Sequence, residues 1–371
     1  MLSKPLNLLL VYVLILINFL ILVLPFAVAI VPFIDLGKAQ VIFEKYISLK
    51  PEIVFYWLVF AVSFFMILYL LCDFIFGFSV NSTLKDCEKY EELSGYDFLE
   101  DVIGDVRFKF GAPKVDLYIK PSEQVNAFAV GGIRKKAIVL TTGLIDHFAT
   151  STENDRQFLL ALRSIVGHEM SHLMNKDYLS GLLIIANQRA NNFIGKILLF
   201  SFSSMARIFG YRGEISNKMV WLIFLIYDIC NWILNIFNRI VVNNIYKFLK
   251  NFLGRLAEYR CDRESAKAFG GIDMAFALSF LGKSGYLSLF STHPSTARRI
   301  RKVEVVEEKN AIIRPFFITE ISNFASIMIL PVICYYSFYA GKLNVLAKFY
   351  IYYHYPEFYF QVLKLFPSIW H

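Results

Sequence analysis

Three stretches without a single charged residue dominate what this chain can become. Residues 5–34, between Lys4 and Asp35, are 30 consecutive uncharged positions; residues 53–72, between Glu52 and Asp73, are 20; residues 321–341, between Glu320 and Lys342, are 21. A helix needs about 20 apolar residues to cross a bilayer, so each stretch is long enough to span. Ala27-Val28-Ala29 looks like a signal-peptide cleavage site. The first run is however about twice the length of a signal core and only Lys4 precedes it, so a retained anchor is expected. Across all 371 residues 57% are hydrophobic and 18% charged, where a soluble domain carries about 25% charged. A water-soluble enzyme is thereby excluded, and an aromatic content of 17% excludes disorder.

Two further segments are ambiguous. Met219 to Asn238 is apolar except for Asp228, and Gly181 to Phe209 contains Arg189 and Lys196. Charges inside a membrane cost roughly 2.5–3.5 kcal/mol each on insertion scales unless they pair or snorkel. Either Asp228 faces Arg189 or Lys196 in a spanning hairpin, or the hairpin is only partly immersed with its charges in water. Cys72, Cys87, Cys230, Cys261 and Cys334 form no spacing pattern, so neither a disulfide scaffold nor a cysteine zinc cluster is expected.

The polar remainder falls into two blocks that read as one domain interrupted by the hairpin. The expected organisation is 1–80, two membrane helices and their loop; 81–180, the first part of a catalytic domain; 181–245, the hairpin; 246–316, the second part; and 317–371, a C-terminal span with an aromatic interfacial tail. Val115, Leu117 and Ile119 alternate with polar neighbours, and Lys136–Thr141 is a second β-rich run. Gly131-Gly132 marks a turn or bulge between Asn126–Val130 and that run. After the capping stretch 150–155, the positions Phe158, Ala161, Leu162, Ile165, His168 and His172 repeat with helical spacing.

That helix carries His168-Glu169-Met170-Ser171-His172. Residues i and i+4 share a helix face, so two imidazoles can converge on one ion while Glu169 stands beside it to take a proton from water. Zinc suits such ligands because a fourth tetrahedral position is left open. A third ligand must come from elsewhere. Asn175 and Tyr178 stand where one class of zinc proteases places Gly and a further ligand, and Asp177 is adjacent but on the wrong turn. A glutamate on a separate helix is the other solution. Glu258 and Asp262 share a face four residues apart, with Glu258 as the ligand and Asp262 placed to hydrogen-bond a ligand histidine.

With these residues the chain resembles the superfamily of HtpX and CAAX-prenyl proteases, integral-membrane zinc metallopeptidases. Four segments match in order: Asn126-Ala-Phe-Ala-Val-Gly-Gly132; Gly167-His-Glu-Met-Ser-His172 with Asn175-Lys-Asp177; Glu258-Tyr-Arg-Cys-Asp262; and Thr292-His-Pro-Ser295 followed by Ala297-Arg-Arg-Ile300. The match covers roughly residues 81–305. The resemblance implies a mainly α membrane protein whose α+β, zincin-like (gluzincin) catalytic domain has a short β-sheet and is interrupted by a helical hairpin. It implies one zinc per chain on His168, His172 and Glu258, with Glu169 as catalytic base. Asn126 would border the substrate cleft on a strand able to pair with an extended peptide, His293 would lie near the scissile carbonyl, and Arg299 would tie its loop to the site. Cys261 stands where the family usually has alanine, and the C-terminal span and tail are not part of the smaller bacterial form. His147, His354 and His371 are expected to be non-ligands.

The expected activity is endoproteolysis of membrane or misfolded proteins in quality control. The alternatives are a protease that clips prenylated C-termini and a catalytically silent membrane scaffold. The expected partners are polypeptide substrates and the lipid bilayer. Lysines and arginines are nearly balanced on the two sides of the spans, so charge does not set orientation. The family resemblance implies a bacterial inner membrane with the zinc site cytoplasmic. The net charge of +8 is not a nucleic-acid footprint: Arg298, Arg299, Arg301 and Lys302 follow the Thr292-His-Pro motif, while Lys247, Lys250 and Arg255 flank a membrane exit and suit anionic headgroups.

Overall fold

The computed structural model describes residues 3–34, 51–112, 114–132, 134–211, 217–237, 239–240, 243–281, 294–309 and 311–354. The chain starts with helices α1 (Ser3–Ile34), α2 (Pro51–Phe76) and α3 (Phe78–Thr83), then β1 (Glu88–Lys89) and α4 (Phe98–Phe110). Strands β2 (Asp116–Lys120), β3 (Ala127–Gly131) and β4 (Lys136–Thr141) follow, then α5 (Thr142–Ser151), α6 (Asp155–Met174), α7 (Tyr178–Tyr211), α8 (Asn217–Phe237), α9 (Asn243–Phe269), α10 (Gly271–Phe280), α11 (Thr296–Val303) and α12 (Phe317–His354). These elements divide into two compact units, one of residues 1–14, 70–184 and 240–326, the other of residues 15–69, 185–239 and 327–371.

The first unit is built on a small mixed sheet in the order β1-β2-β4-β3. β2 and β4 are parallel, whereas β1 on β2 and β3 on β4 are antiparallel, with Asp116 opposite Ala137 and Ala127 opposite Leu140. Alternate residues of the central strands point to opposite faces. Leu117, Ile119, Ile138 and Leu140 enter the main core with α4, α5 and α6, while Tyr118, Ala137 and Val139 pack with Val80 and Leu84 on the other face. Burial on both faces explains why β4 reads as an apolar run rather than an alternating one.

Local chemistry sets the ends of the helices that matter here. α4 stops at Gly111, which takes φ 53° and returns its N–H to Arg107 O and Phe108 O, a left-handed cap that glycine adopts without penalty. The Asn154 side chain accepts from the Gln157 N–H at 3.0 Å and starts α6. Ala161, Leu162, Ile165, Val166, Met170 and Leu173 then face the core from this helix. Its opposite flank meets α9 at Gly167, where an added Cβ would come within 2.8 Å of both the Phe269 ring and Ser265 Oγ. Glycine thus lets α6 and α9 approach, and the Ser265 hydroxyl spans the gap to Ser164 O at 2.6 Å.

In the second unit the apolar helices pack through aromatic edges. Phe19 meets Phe55, Phe65 meets Phe193, and Trp57 meets Phe338, at centroid distances of 5.5, 4.7 and 5.9 Å. Asn187 is buried and accepts from Asn18 Nδ2 at 2.9 Å. Lys4–Val28, Val54–Phe76 and Phe317–Gly341 are long and apolar enough to cross a membrane. On the first of these, Leu6, Leu9, Val13, Leu16, Leu20 and Leu24 form an exposed stripe at helical spacing, a surface suited to lipid rather than water. The chain is therefore a mainly α membrane protein with a small sheet. In the hairpin helices Arg189, Lys196 and Asp228 are all exposed, and among the described residues no ion pair joins them.

Candidate metal centre

His168 and His172 lie one turn apart on α6, with ring centroids 5.0 Å apart. Glu258 projects from α9 between them: its Oε2 is 3.6 Å from His168 Nε2, and its Oε1 is 3.2 Å from His172 Nε2. One ligand atom from each of the three residues lies within 4.8 Å of the others. His168, Glu169 and Glu258 are buried, at 5%, 8% and 8% exposure, too deep for a casual surface cluster of charge.

Each imidazole is backed by a carboxylate on its other nitrogen. His172 Nδ1 hydrogen-bonds Asp177 Oδ2 at 2.7 Å. His168 Nδ1 is 2.8 Å from Asp262 Oδ1, close enough for an ion pair but without hydrogen-bond alignment. A proton held on Nδ1 leaves the Nε2 lone pair free as a ligand. The two Nε2 atoms and the Glu258 oxygens then face one another as acceptors, an arrangement that a cation satisfies. The donor set of two imidazoles and one carboxylate therefore fits a divalent metal.

Asp177 reaches back because of the turn that ends α6. Lys176 takes φ 54°, in the left-handed region that non-glycine residues rarely adopt, and the Asp177 N–H donates to His172 O at 3.1 Å. The turn is held from several directions. Asn175 is fully buried and donates to Ser171 O at 2.9 Å and to Glu264 Oε2 at 2.8 Å, and Ser171 Oγ donates to the same Glu264 oxygen at 2.7 Å. Arg260 Nη2 lies 2.6 Å from Asp177 Oδ2, and Lys4 Nζ lies 2.7 Å from Oδ1. Burial alone would raise the Asp177 pKa, but Lys4, Arg260 and His172 together hold its carboxyl well below the usual range.

Arg299, on α11, grips Asp262 with both arms: Nε donates to Oδ2 at 2.7 Å and Nη2 to Oδ1 at 2.6 Å. The same Nη2 is 3.6 Å from Glu258 Oε2. Burial again opposes ionisation of Asp262, and contacts with Arg299 and His168 outweigh it, so the carboxyl stays below its ordinary pKa. Bidentate guanidinium pairing fixes orientation as well as charge. Arg299 thus acts on the site through Asp262.

Glu169 stands next to His168 on α6, a helix that packs against β3. Burial pushes its carboxyl pKa up, against the pull of the two histidines, the direction expected for a group that must both take and return a proton. Asn126 is exposed just before β3, and its carbonyl accepts from the Thr141 N–H at 3.1 Å. With Gly132 N–H bonding Lys135 O at the far end, the alternation of an antiparallel ladder turns the amides of Ala127, Ala129 and Gly131 off the open edge of the sheet. His293 lies outside the described residues. His147 sits on α5 with Nε2 3.0 Å from Phe280 O, away from the cluster. Cys261 is fully buried beside Arg260, whose Nη2 is 3.6 Å from its sulfur.

Sequence spacing places Asp262 behind a histidine and rejects Asp177 as a third ligand; the structure puts Asp177 behind His172 Nδ1, a position that the spacing does not address. The clue was the Asn175-Lys-Asp177 triplet directly after the motif, where a helix end can fold back. The contact between Lys4 and Asp177 had no local signal at all.

The chain is similar to several known proteins. The chain is 27% identical over 236 residues to the protease HtpX homolog of Persephonella marina, covering 58% of this chain and 75% of that one. It is 25% identical over 234 residues to the homolog of Salinibacter ruber, covering 56% and 73%, and 29% identical over 212 residues to protease HtpX of Haemophilus ducreyi, covering 52% and 66%. Among solved structures, S. mikatae Ste24p aligns with a TM-score of 0.41 at 19% identity, over 79% of this chain and 67% of that one. Residues 97–307, which span strands β2 to β4, helices α6 and α9 and Arg299, match peptidase family M48. That segment is more than half of the 371 residues, and the chain belongs to this family of metallopeptidases.

Proposed function

We propose that this chain is a zinc-dependent endopeptidase that holds one zinc ion on His168, His172 and Glu258 and hydrolyses membrane-associated or misfolded polypeptides. The observation that carries the reading is the convergence of two carboxylate-backed imidazoles on Glu258, with Glu169 alongside. Bound there, zinc supplies Lewis acidity that polarises a carbonyl and acidifies water. Glu169 takes the proton from the attacking water and passes it to the leaving amine. Asp262 and Asp177 keep the histidines in the ligand tautomer, and Arg299 keeps Asp262 in place.

The open edge of β3 supports a substrate path beside Glu169. An extended peptide added to this edge would pair with Ala127 and Gly131, with Asn126 at the entrance. The bond to be cut would then lie near Glu169, because α6, which carries that residue, packs against β3. His293 and Asn126 are proposed to stabilise the developing oxyanion.

Purified full-length protein in detergent is expected to contain about one zinc per chain. A strong chelator should abolish cleavage of an unfolded membrane protein, and added zinc should restore it. Undiminished cleavage by metal-stripped protein would overturn the reading.

We further propose a bacterial inner membrane with the site on the cytoplasmic face. Buried Cys261 is useless as a topology probe, but Glu153 is exposed at the start of the motif helix. Glu153→Cys should resist an impermeant maleimide in intact cells and react in inverted vesicles, with the parent chain as background. Labelling in intact cells instead would place the domain outside.

A further inference from the structure

The two carboxylates behind the ligand histidines are secured differently. Asp262 is held by Arg299, within the family segment. Asp177 shares its Oδ2 between His172 and Arg260, at 2.7 and 2.6 Å, while its Oδ1 meets Lys4 Nζ at 2.7 Å. Lys4 belongs to the first turn of the apolar helix α1 and is only 7% exposed. A lysine at the end of a membrane helix ordinarily snorkels into water, where its charge is cheapest. This one is directed inward to a carboxylate oxygen.

Two neighbouring contacts bring membrane helices to the same turn. Asn7 Nδ2, one turn after Lys4, donates to Ser180 Oγ at 2.8 Å. Buried Asn323 on α12 donates to Asn175 O at 3.1 Å. Residues 175–180 are thus held by α1 and α12 as well as by α9. Only Lys4 among these reaches the carboxylate that turns His172. Oδ2 already meets His172 and Arg260, and a cation on Oδ1 holds the second oxygen of the same carboxylate.

We propose that Lys4 is a positioning residue of the metal centre: it fixes the Asp177 carboxylate that orients His172, so the ligand set is fully organised only while the Lys4 ammonium, carried on the first turn of the N-terminal apolar helix, is paired with that carboxylate. The inference rests on the metal-centre reading above. Lys4 contributes charge and geometry at one remove from the ion and touches neither substrate nor ligand.

The test uses the full chain in detergent with Lys4→Met, Lys4→Arg and Asn7→Ala. Zinc affinity is measured by competition with a chelator of known strength, and ligand geometry by the visible spectrum of the cobalt(II)-substituted protein. Lys4→Met is expected to weaken zinc binding by about tenfold, the lower end for loss of an outer-shell partner, and to shift the cobalt bands. Lys4→Arg should restore both. Asn7→Ala, which cuts the tie to Ser180 but leaves Asp177 paired, should match the parent chain. Parental zinc affinity and an unchanged cobalt spectrum in Lys4→Met would overturn the proposal, as would an equal loss in Asn7→Ala, since docking of the helix alone would then account for the effect. If Lys4→Met is not recovered folded, Lys4→Gln carries the same comparison with the same two outcomes. A parent chain that binds no zinc would instead refute the metal-centre reading itself.

Discussion

Glu169→Gln is expected to lower peptide hydrolysis by about a thousandfold or more while the metal content stays at the parental level. The glutamine amide has nearly the size of the carboxylate, so the packing of α6 is undisturbed. What it lacks is a site for a proton, and general acid–base catalysis is worth about 10²–10⁴-fold. Glu169 is buried beside the histidine pair on α6, with its carboxylate the group placed to take the proton of an attacking water. The comparison is turnover on an unfolded membrane protein against zinc measured by elemental analysis. Proteolysis retained in this variant would remove Glu169 from the mechanism.

Glu258→Ala should give the complementary result: activity lost because the metal is lost. The carboxylate lies 3.2 and 3.6 Å from the two Nε2 atoms, so its removal deletes one of three ligands and leaves Arg299 near the vacated place. Loss of an outer-shell partner typically costs 10–100-fold in metal affinity, and loss of a direct ligand should exceed about 100-fold. Purified Glu258→Ala is then expected to carry far less than one zinc per chain and to regain activity only at high added zinc. Full zinc occupancy would show that Glu258 is not a ligand. Run side by side, the two variants separate loss of chemistry from loss of metal.

The legible part of this protein is the part written in local periodicity. Uncharged runs long enough for a bilayer, the i, i+4 histidines, the Glu258 and Asp262 pair, and the strand Lys136–Thr141 each arise from spacing within one element, and each element forms where that spacing points. The metallopeptidase family was also readable, because its motifs are short and contiguous. The place of Asp177 behind His172 is not legible in spacing, for a physical reason. An ideal helix extended through residue 177 would carry its carboxylate away from His172, and only the left-handed Lys176 brings it back.

By itself, then, the sequence determined that the chain is a membrane protein with a helix carrying a candidate metal-binding motif, since hydrophobic length and helical phase are properties of neighbouring residues. Tertiary structure alone decided which carboxylate stands behind which histidine, that Arg299 reaches Asp262, and that Lys4 from the first apolar helix reaches Asp177. Except for Asp177 and His172, which a local turn joins, these partners are far apart in the chain, and their meeting depends on how closely packed helices approach, as at Gly167. A charge in a sequence carries no address for its counter-ion; the packing of the helices supplies it.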